Sequence, residues 1–204
     1  MLDARARRLL GPPLDRVAAA LDRPAVTPDR LSLLGLALGL ASAGAAAAQL
    51  WPLALATWLL SRAADGLDGP LARRRPVRDA GAGGFLDITA DFVVYGSTVL
   101  GVAVGATAGE GADWLPFLLV LLAYYVNGTA LLAFSSLAER AGRQRDDGRA
   151  LSFLGGLAEG TETIVVHALW LLLPGSAGTI ALVWAAVVAV SSGQRVVSGY
   201  RALR

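Results

Sequence analysis

Six stretches of this chain stay apolar for longer than a soluble core helix requires: roughly 31–48, 51–72, 84–106, 114–137, 152–173 and 178–199. Each is about 18–24 residues long, enough at 1.5 Å per residue to cross a hydrocarbon core of about 30 Å as a helix. Inside lipid, every backbone N–H and C=O must be satisfied within a helix or a closed barrel. Period-two alternation, the mark of barrel strands, is absent. With 55% hydrophobic residues, the chain reads as an all-α integral membrane protein of six transmembrane helices. It contains no cysteine, so disulfides and thiolate metal sites are excluded. About 30 charged and proline-containing residues precede the first span, which does not fit a cleavable signal peptide.

Arginine placement orients the spans. All 18 basic residues are arginine. Arg5, Arg7, Arg8, Arg16, Arg23 and Arg30 precede the first span, and Arg73, Arg74, Arg75 and Arg78 lie between the second and third. Arg140, Arg143, Arg145 and Arg149 lie between the fourth and fifth, and Arg195, Arg201 and Arg204 close the chain. The alternate loops "AQLWP", "ATAGEGADW" and "PGSAG" carry none. The positive-inside rule then makes both termini cytoplasmic. Arg62, one turn inside the second span, is the exception.

The chain divides into a leader, 1–26, and a membrane domain, 27–204. In the leader, Leu14, Val17, Ala18 and Leu21 fall at i, i+3, i+4 and i+7, with Asp15, Arg16, Asp22 and Arg23 on the other side. That spacing gives a short amphipathic helix lying on the cytoplasmic interface, or one packed on the protein's own loops. Thr27 followed by Pro28 reads as an N-cap and first helical residue opening the first span. "GLALGLASAGAAAA" (35–48) is rich in small residues, which let helix backbones approach closely.

Asp65, Asp68, Asp87, Asp91, Glu159 and Glu162 lie within or at the edge of apolar spans. A carboxylate at mid-bilayer costs roughly 2.5–3.5 kcal/mol on insertion scales, and intramembrane acids mark function. The second span starts outside near Trp51, which leaves Asp65 roughly 9 Å and Asp68 roughly 4–5 Å from the cytoplasmic face. The third span enters near Gly83, which puts Asp87 about 6 Å and Asp91 about 12 Å deep. The depths match in two pairs. Spacings of i,i+3 and i,i+4 set each helix's two carboxylates on one face. Facing each other, the two helices would form a four-carboxylate pocket open to the cytoplasm.

Oxygen-only ligands suit hard cations such as Mg²⁺ or Mn²⁺, and two divalent ions would balance four carboxylates. Two metals held by shared carboxylates are a recurring device for phosphoryl chemistry. The alternative is a structural ion network with Arg62, Arg73 and Arg74. Gly66, Gly69, Gly81, Gly83 and Gly84 surround the pocket and allow close approach of a ligand or backbone; Gly81 and Gly84 read as helix-end residues. Arg73, at the mouth, can fork a phosphate or anchor topology.

"DGLDGPLARRRPVRDAGAGGFLDITAD" resembles the signature of the CDP-alcohol phosphotransferase family, D-x2-D-G-x2-A-R-x8-G-x3-D-x3-D. Asp65, Asp68, Gly69, Ala72, Arg73, Gly83, Asp87 and Asp91 fall on it; nine residues rather than eight separate Arg73 from Gly83. "VTPDRLSLLGL" also resembles the family's lead-in to the first span. The resemblance implies a metal-dependent transferase of the cell membrane that faces the cytoplasm and works in phospholipid biosynthesis. A CDP-linked lipid, most often CDP-diacylglycerol, would pass its phosphatidyl group to a polar alcohol and release CMP. By the same resemblance, Asp65, Asp68 and Asp87 would be the main metal ligands. Asp91 would stand near a metal and take the alcohol's proton as catalytic base. Asp29, Gly69, Ala72, Arg73 and Gly83 would face the nucleotide. A homodimer is implied, embedded among membrane lipids, with no nucleic-acid partner.

The acceptor is read from two opposed signals. Arg143, Arg149 and Arg195 suit a phosphorylated alcohol such as inositol phosphate or glycerol phosphate, though arginines also collect in cytoplasmic loops for topology alone. Glu159 and Glu162 share a face on the fifth span and suit a cationic alcohol such as serine, ethanolamine or choline, or serve as partners for arginine. His167, deeper on that span, reads as a hydrogen-bonded interior residue. Two rival functions use the same acids: a cation carrier and a CDP-lipid hydrolase. A carrier requires acids across the whole membrane depth, whereas the outer halves of these spans carry none.

Overall fold

The computed structural model describes residues 3–76, 81–142 and 158–204, with side chains from residue 8 onward. The described residues form helices and short turns with no strand: α1 (Asp3–Leu21), α2 (Pro28–Ala47), α3 (Trp51–Arg73), α4 (Ala82–Gly109), α5 (Leu115–Arg140), α6 (Gly160–Leu172) and α7 (Ala177–Leu203), with a single 3₁₀ turn at Pro174–Ser176. Helices thus stand at all six apolar stretches. Among the described residues, four segments are long and apolar enough to cross a membrane: Pro28–Ala47, Ala82–Gly109, Leu115–Arg140 and Pro174–Leu203. The 23 residues of α3 would reach across too, but they carry Arg62, Asp65, Asp68 and Arg73. The described part of α6 has 13 residues, about 20 Å of rise.

Local chemistry explains the first boundaries. Thr27 has extended backbone and its hydroxyl accepts from the Arg30 N–H at 3.2 Å, while Pro28 takes the first helical position, where no N–H is needed. The turn at Ala48–Leu50 includes Gln49 at φ 61° and folds α3 back against α2.

Most packing lies in two groups, α2 with α3 and α4, and α5 with α7; α6 bridges them through α3. The first group is tight because α2 is nearly bare of side chains where it meets its neighbours. A Cβ on Gly39 would lie 2.6 Å from both Val94 methyl carbons, and one on Gly101 would collide with the Ala43 carbonyl. The small-residue stretch therefore does what its composition suggests, since only glycine permits these approaches. Outward of the site the core is aromatic. Trp58 Nε1 donates to the Ile164 carbonyl at 3.3 Å, Tyr124 Oη pairs with His167 Nε2 at 2.9 Å, and Trp184 Nε1 donates to Tyr124 Oη at 2.7 Å. His167 is fully buried between the rings of Trp58 and Trp170, a hydrogen-bonded interior residue.

The leader helix runs from Asp3, well ahead of the 14–21 stretch read from its spacing. Ala18 packs on Leu31 and Leu71, and Leu14 overlies Gly66, while Val17 stays 46% exposed. Part of the apolar face of α1 is thus covered by α2 and α3. Arg75 ties the end of α3 to the α1–α2 connection, donating to Asp22 Oδ1 at 3.0 and 3.1 Å and to the Val26 carbonyl at 2.7 Å.

Candidate functional site

The acids gather where α2 begins, α3 ends and α4 begins. Along α2, Ser32, Gly35 and Gly39 fall at i, i+3 and i+7 and turn one face to α3. That face has no bulk to hold α3 away: a Cβ on Gly35 would sit 3.3 Å from the Ser61 carbonyl and 3.6 Å from the Asp65 nitrogen. Ser32 Oγ then reaches Asp68 Oδ2 and donates to it at 2.6 Å. Asp68 is buried, so this charge-assisted bond restrains a carboxylate that has lost most of its water.

Across the gap, α4 opens at Gly81, whose φ of 106° lies in the left-handed region that glycine adopts without strain. Asp87 follows on the second turn. One carboxylate oxygen from each of Asp65, Asp68 and Asp87 falls within 4.8 Å of the others. Asp65 and Asp87 are partly exposed, so the cluster opens outward from the buried Asp68. Three close hard-oxygen donors from two rigid helices fit a divalent cation such as Mg²⁺ or Mn²⁺.

Asp91 has a different neighbour. Arg62 Nη1 donates to Asp91 Oδ1 at 2.6 Å and lies 3.5 Å from Asp65 Oδ2. The guanidinium is also held at Nη2 and against two aromatic rings, while its buried Nε has no hydrogen-bond partner among the described residues. Nη2 donates to Ser61 Oγ at 3.0 Å, and Ser61 Oγ in turn donates to the Gly35 carbonyl at 2.6 Å. The rings of Trp58 and Tyr95 lie 5.2 Å from the guanidinium carbon, both within cation–π range. Arg62 is thus the innermost wall of the acidic pocket. Of the structural ion network weighed from the sequence, only the Arg62 pairings are present among the described residues; Arg74 and Arg75 pair with Asp22 instead.

The other expected site residues are spread around the mouth. Asp29 is exposed in the first turn of α2, with Oδ1 3.5 Å from where a Cβ on Gly83 would stand. Arg73 and Ala72 are exposed at the end of α3, and Arg73 Nη1 folds back to 3.3 Å from the corresponding position on Gly69. Asp29 and Gly83 therefore meet across α2 and α4, as do Gly69 and Arg73 on α3. The segment longer by one residue, 74–82, includes 77–80, outside the described residues. Arg143 and Arg149 also lie outside them. Arg195 is buried on α7, with Nη2 3.4 Å from the Ala158 carbonyl, beside Glu159 at the start of α6. Glu162 stands in the first turn of α6.

Ser32 and Tyr95 are residues of the site to which the spacing of the acids does not point, and Arg62 enters from the sequence only through the alternative ion network. For Ser32 the signal is a hydroxyl in line with Gly35 and Gly39 on a face made for close contact.

A family profile described as CDP-alcohol phosphatidyltransferase matches residues 25–192. The chain is 38% identical over 210 residues to the inner membrane protein YnjF of Escherichia coli K12, covering 100% of this chain and 98% of that one. In fold it is similar to the phosphatidylinositol phosphate synthase PgsA1 of Mycobacterium tuberculosis. The TM-score is 0.70 at 21% identity, over 92% of this chain, both for the structure with CDP-DAG bound (93% of that chain) and for the one with manganese and citrate (88%).

Proposed function

The chain belongs to the CDP-alcohol phosphatidyltransferase family, and from that premise we propose that it moves a phosphatidyl group from CDP-diacylglycerol to a polar alcohol. It is a membrane-embedded phosphotransferase of phospholipid synthesis. The observation that carries the finer reading is the convergence of Asp65, Asp68 and Asp87 within 4.8 Å on the family's motif. The PgsA1 structures contain CDP-DAG in one case and manganese in the other, which supports a CDP-lipid donor and a divalent cation here.

In this reading Asp65, Asp68 and Asp87 are the main ligands of Mg²⁺ or Mn²⁺ and Asp91 also stands near a metal, so that two ions balance the four motif carboxylates. The bound cations would neutralise the donor's diphosphate and the charge developing on the leaving CMP. Asp91 takes the proton of the acceptor hydroxyl. The alcohol oxygen bonds to the lipid-linked phosphorus, the bond from that phosphorus to the bridging oxygen breaks, and CMP leaves with that oxygen. Asp29, Gly69, Ala72, Arg73 and Gly83 border the nucleotide. A phosphorylated acceptor would be met by Arg143, Arg149 and Arg195, and a cationic one by Glu159 and Glu162.

We place all six apolar helices across the cell membrane, with α1 on the interface, both termini and the acidic pocket toward the cytoplasm, and the working form a homodimer. The arginine-rich loops support this orientation. A carrier is disfavoured because the acids collect at one end of the bundle.

The test is CMP release by purified full-length protein from labelled CDP-diacylglycerol, with Mg²⁺ or Mn²⁺ and a panel of phosphorylated and cationic alcohols. Alcohol-dependent CMP release with a labelled lipid product is expected. CMP release that ignores the alcohol would make the protein a hydrolase, and no release in any condition would overturn the reading. Asp91→Asn should abolish turnover in a protein that still folds; full activity would refute its role as base.

A further inference from the structure

We propose that Arg62 is a positioning residue that keeps Asp91 apart from the three clustered carboxylates and presents it as the proton acceptor. The proposal rests on the reading of Asp91 as base, and it adds a residue that lies outside the eight motif positions, three before Asp65.

Three facts carry it. First, the motif acids are not equivalent: Asp65, Asp68 and Asp87 converge, whereas Asp91 Oδ1 takes a 2.6 Å hydrogen bond from Arg62. Second, Arg62 is held far more firmly than a topology anchor would be. Its side chain is 5% exposed, bonded to Ser61 Oγ, 3.4 Å from Tyr95 Oη and set between the rings of Trp58 and Tyr95. Ser61 is itself committed to the Gly35 carbonyl, so the chain of contacts ends in the α2 backbone. Third, the group so held bears on a more open one, since the Asp91 side chain is 31% exposed. A buried donor on Oδ1 restrains the carboxylate, and the exposed part of the side chain is where the acceptor's proton would be taken. Partners that orient a reacting side chain in this way are typically worth 10–100-fold in activity.

A purely structural ion pair and a positioning residue predict different kinetic and metal-binding readouts. Arg62→Gln and Arg62→Lys are made in the full-length chain. Each is assayed for kcat, for KM of CDP-diacylglycerol and for Mn²⁺ binding by electron paramagnetic resonance. For Arg62→Gln we expect kcat to fall about 10–100-fold, with KM preserved and Mn²⁺ affinity unchanged or raised, because the variant also removes the cation 3.5 Å from Asp65 Oδ2. Arg62→Lys keeps the charge but not the fork and should recover part of the loss. If the glutamine variant does not fold, the lysine variant carries the test by the same split: lowered kcat against unchanged Mn²⁺ affinity.

Unchanged kcat in the folded variants would overturn the proposal. Loss of Mn²⁺ binding in step with kcat would overturn it too, since Arg62 would then serve the metal cluster. If Asp91→Asn is inactive while Arg62→Gln is fully active, this proposal fails and the base reading stands. If Asp91→Asn keeps full turnover, both fail.

Discussion

Replacing Gly39 by alanine should separate α2 from α4 and disable the site without touching a single acid. A Cβ there would lie 2.6 Å from both Val94 methyls and 3.1 Å from Ser61 Oγ. Carbon atoms settle at about 3.5–4.0 Å, so the two helices must part by roughly 1 Å. Val94 cannot move aside, because it is fully buried and its β-branched side chain has one favoured rotamer in a helix. Two energies oppose each other. Alanine gains about 1 kcal/mol of helix propensity over glycine, while overpacking costs about 1–3 kcal/mol. The clash wins by up to about 2 kcal/mol, a fall in melting temperature of at most roughly 8 °C for a chain of this size.

Turnover should suffer more than stability. Val94 is three residues beyond Asp91 on α4, and Ser61 accepts from Arg62, so the displacement reaches both sides of the pocket. A misplacement of about 1 Å can cost about 100-fold in rate. The assay pairs a thermal melt with CMP release for Gly39→Ala, for the double variant Gly39→Ala with Val94→Ala, and for Gly96→Ala. The double variant returns the space and should recover most of the lost activity. Gly96 has nothing within 4 Å of its would-be Cβ, so alanine there should be neutral or slightly stabilising. Wild-type turnover in Gly39→Ala, or no recovery in the double variant, would refute the reasoning.

Ser32→Ala removes the donor to buried Asp68; if Asp68 holds a metal as proposed, the loss should cost about 10–100-fold in Mn²⁺ affinity or activity, read by Mn²⁺ titration. Chelation should abolish CMP release, which added Mn²⁺ or Mg²⁺ restores; in Asp87→Asn the metal concentration needed for half-maximal rate should rise at least about tenfold. Tyr124→Phe leaves the buried Trp184 N–H and His167 Nε2 without their shared partner and should destabilise by about 1–3 kcal/mol in a melt. Turnover at temperatures where that variant is folded should hold close to wild type, since Tyr124 lies outward of the acids.

Much of the architecture could be read before any coordinates because lipid leaves the backbone so few choices. Uninterrupted apolar length placed the six helices, and the run of Gly and Ala on α2 announced a close contact that Gly39 and Gly101 then supplied. Capping chemistry set the start of α2 at Thr27 and Pro28. The acceptor side resisted, because its acidic and basic signals lie within a few residues of each other and point to opposite alcohols. Arg195 and Glu159 illustrate the difficulty: on adjacent helices they are neighbours, so each supplies part of the other's charge balance.

The pairing of Arg62 with Asp91 is legible in the sequence as part of the alternative ion network. Rise per residue puts Arg62 about 13–14 Å from the cytoplasmic face if Trp51 marks the outer one, and Asp91 about 12 Å. Those depths match as well as the aspartate pairs do. Arg62 also stands i,i+3 from Asp65, the spacing that set Asp65 and Asp68 on one face. The same two rules that assembled four acids therefore placed a guanidinium among them. What they could not decide was which oxygen it would take, because that depends on how α4 seats on α2, with Val94 against Gly39 and Gly101 against Ala43. Helix packing a turn or more away, at residues without charge, thus bears on which aspartate meets the guanidinium.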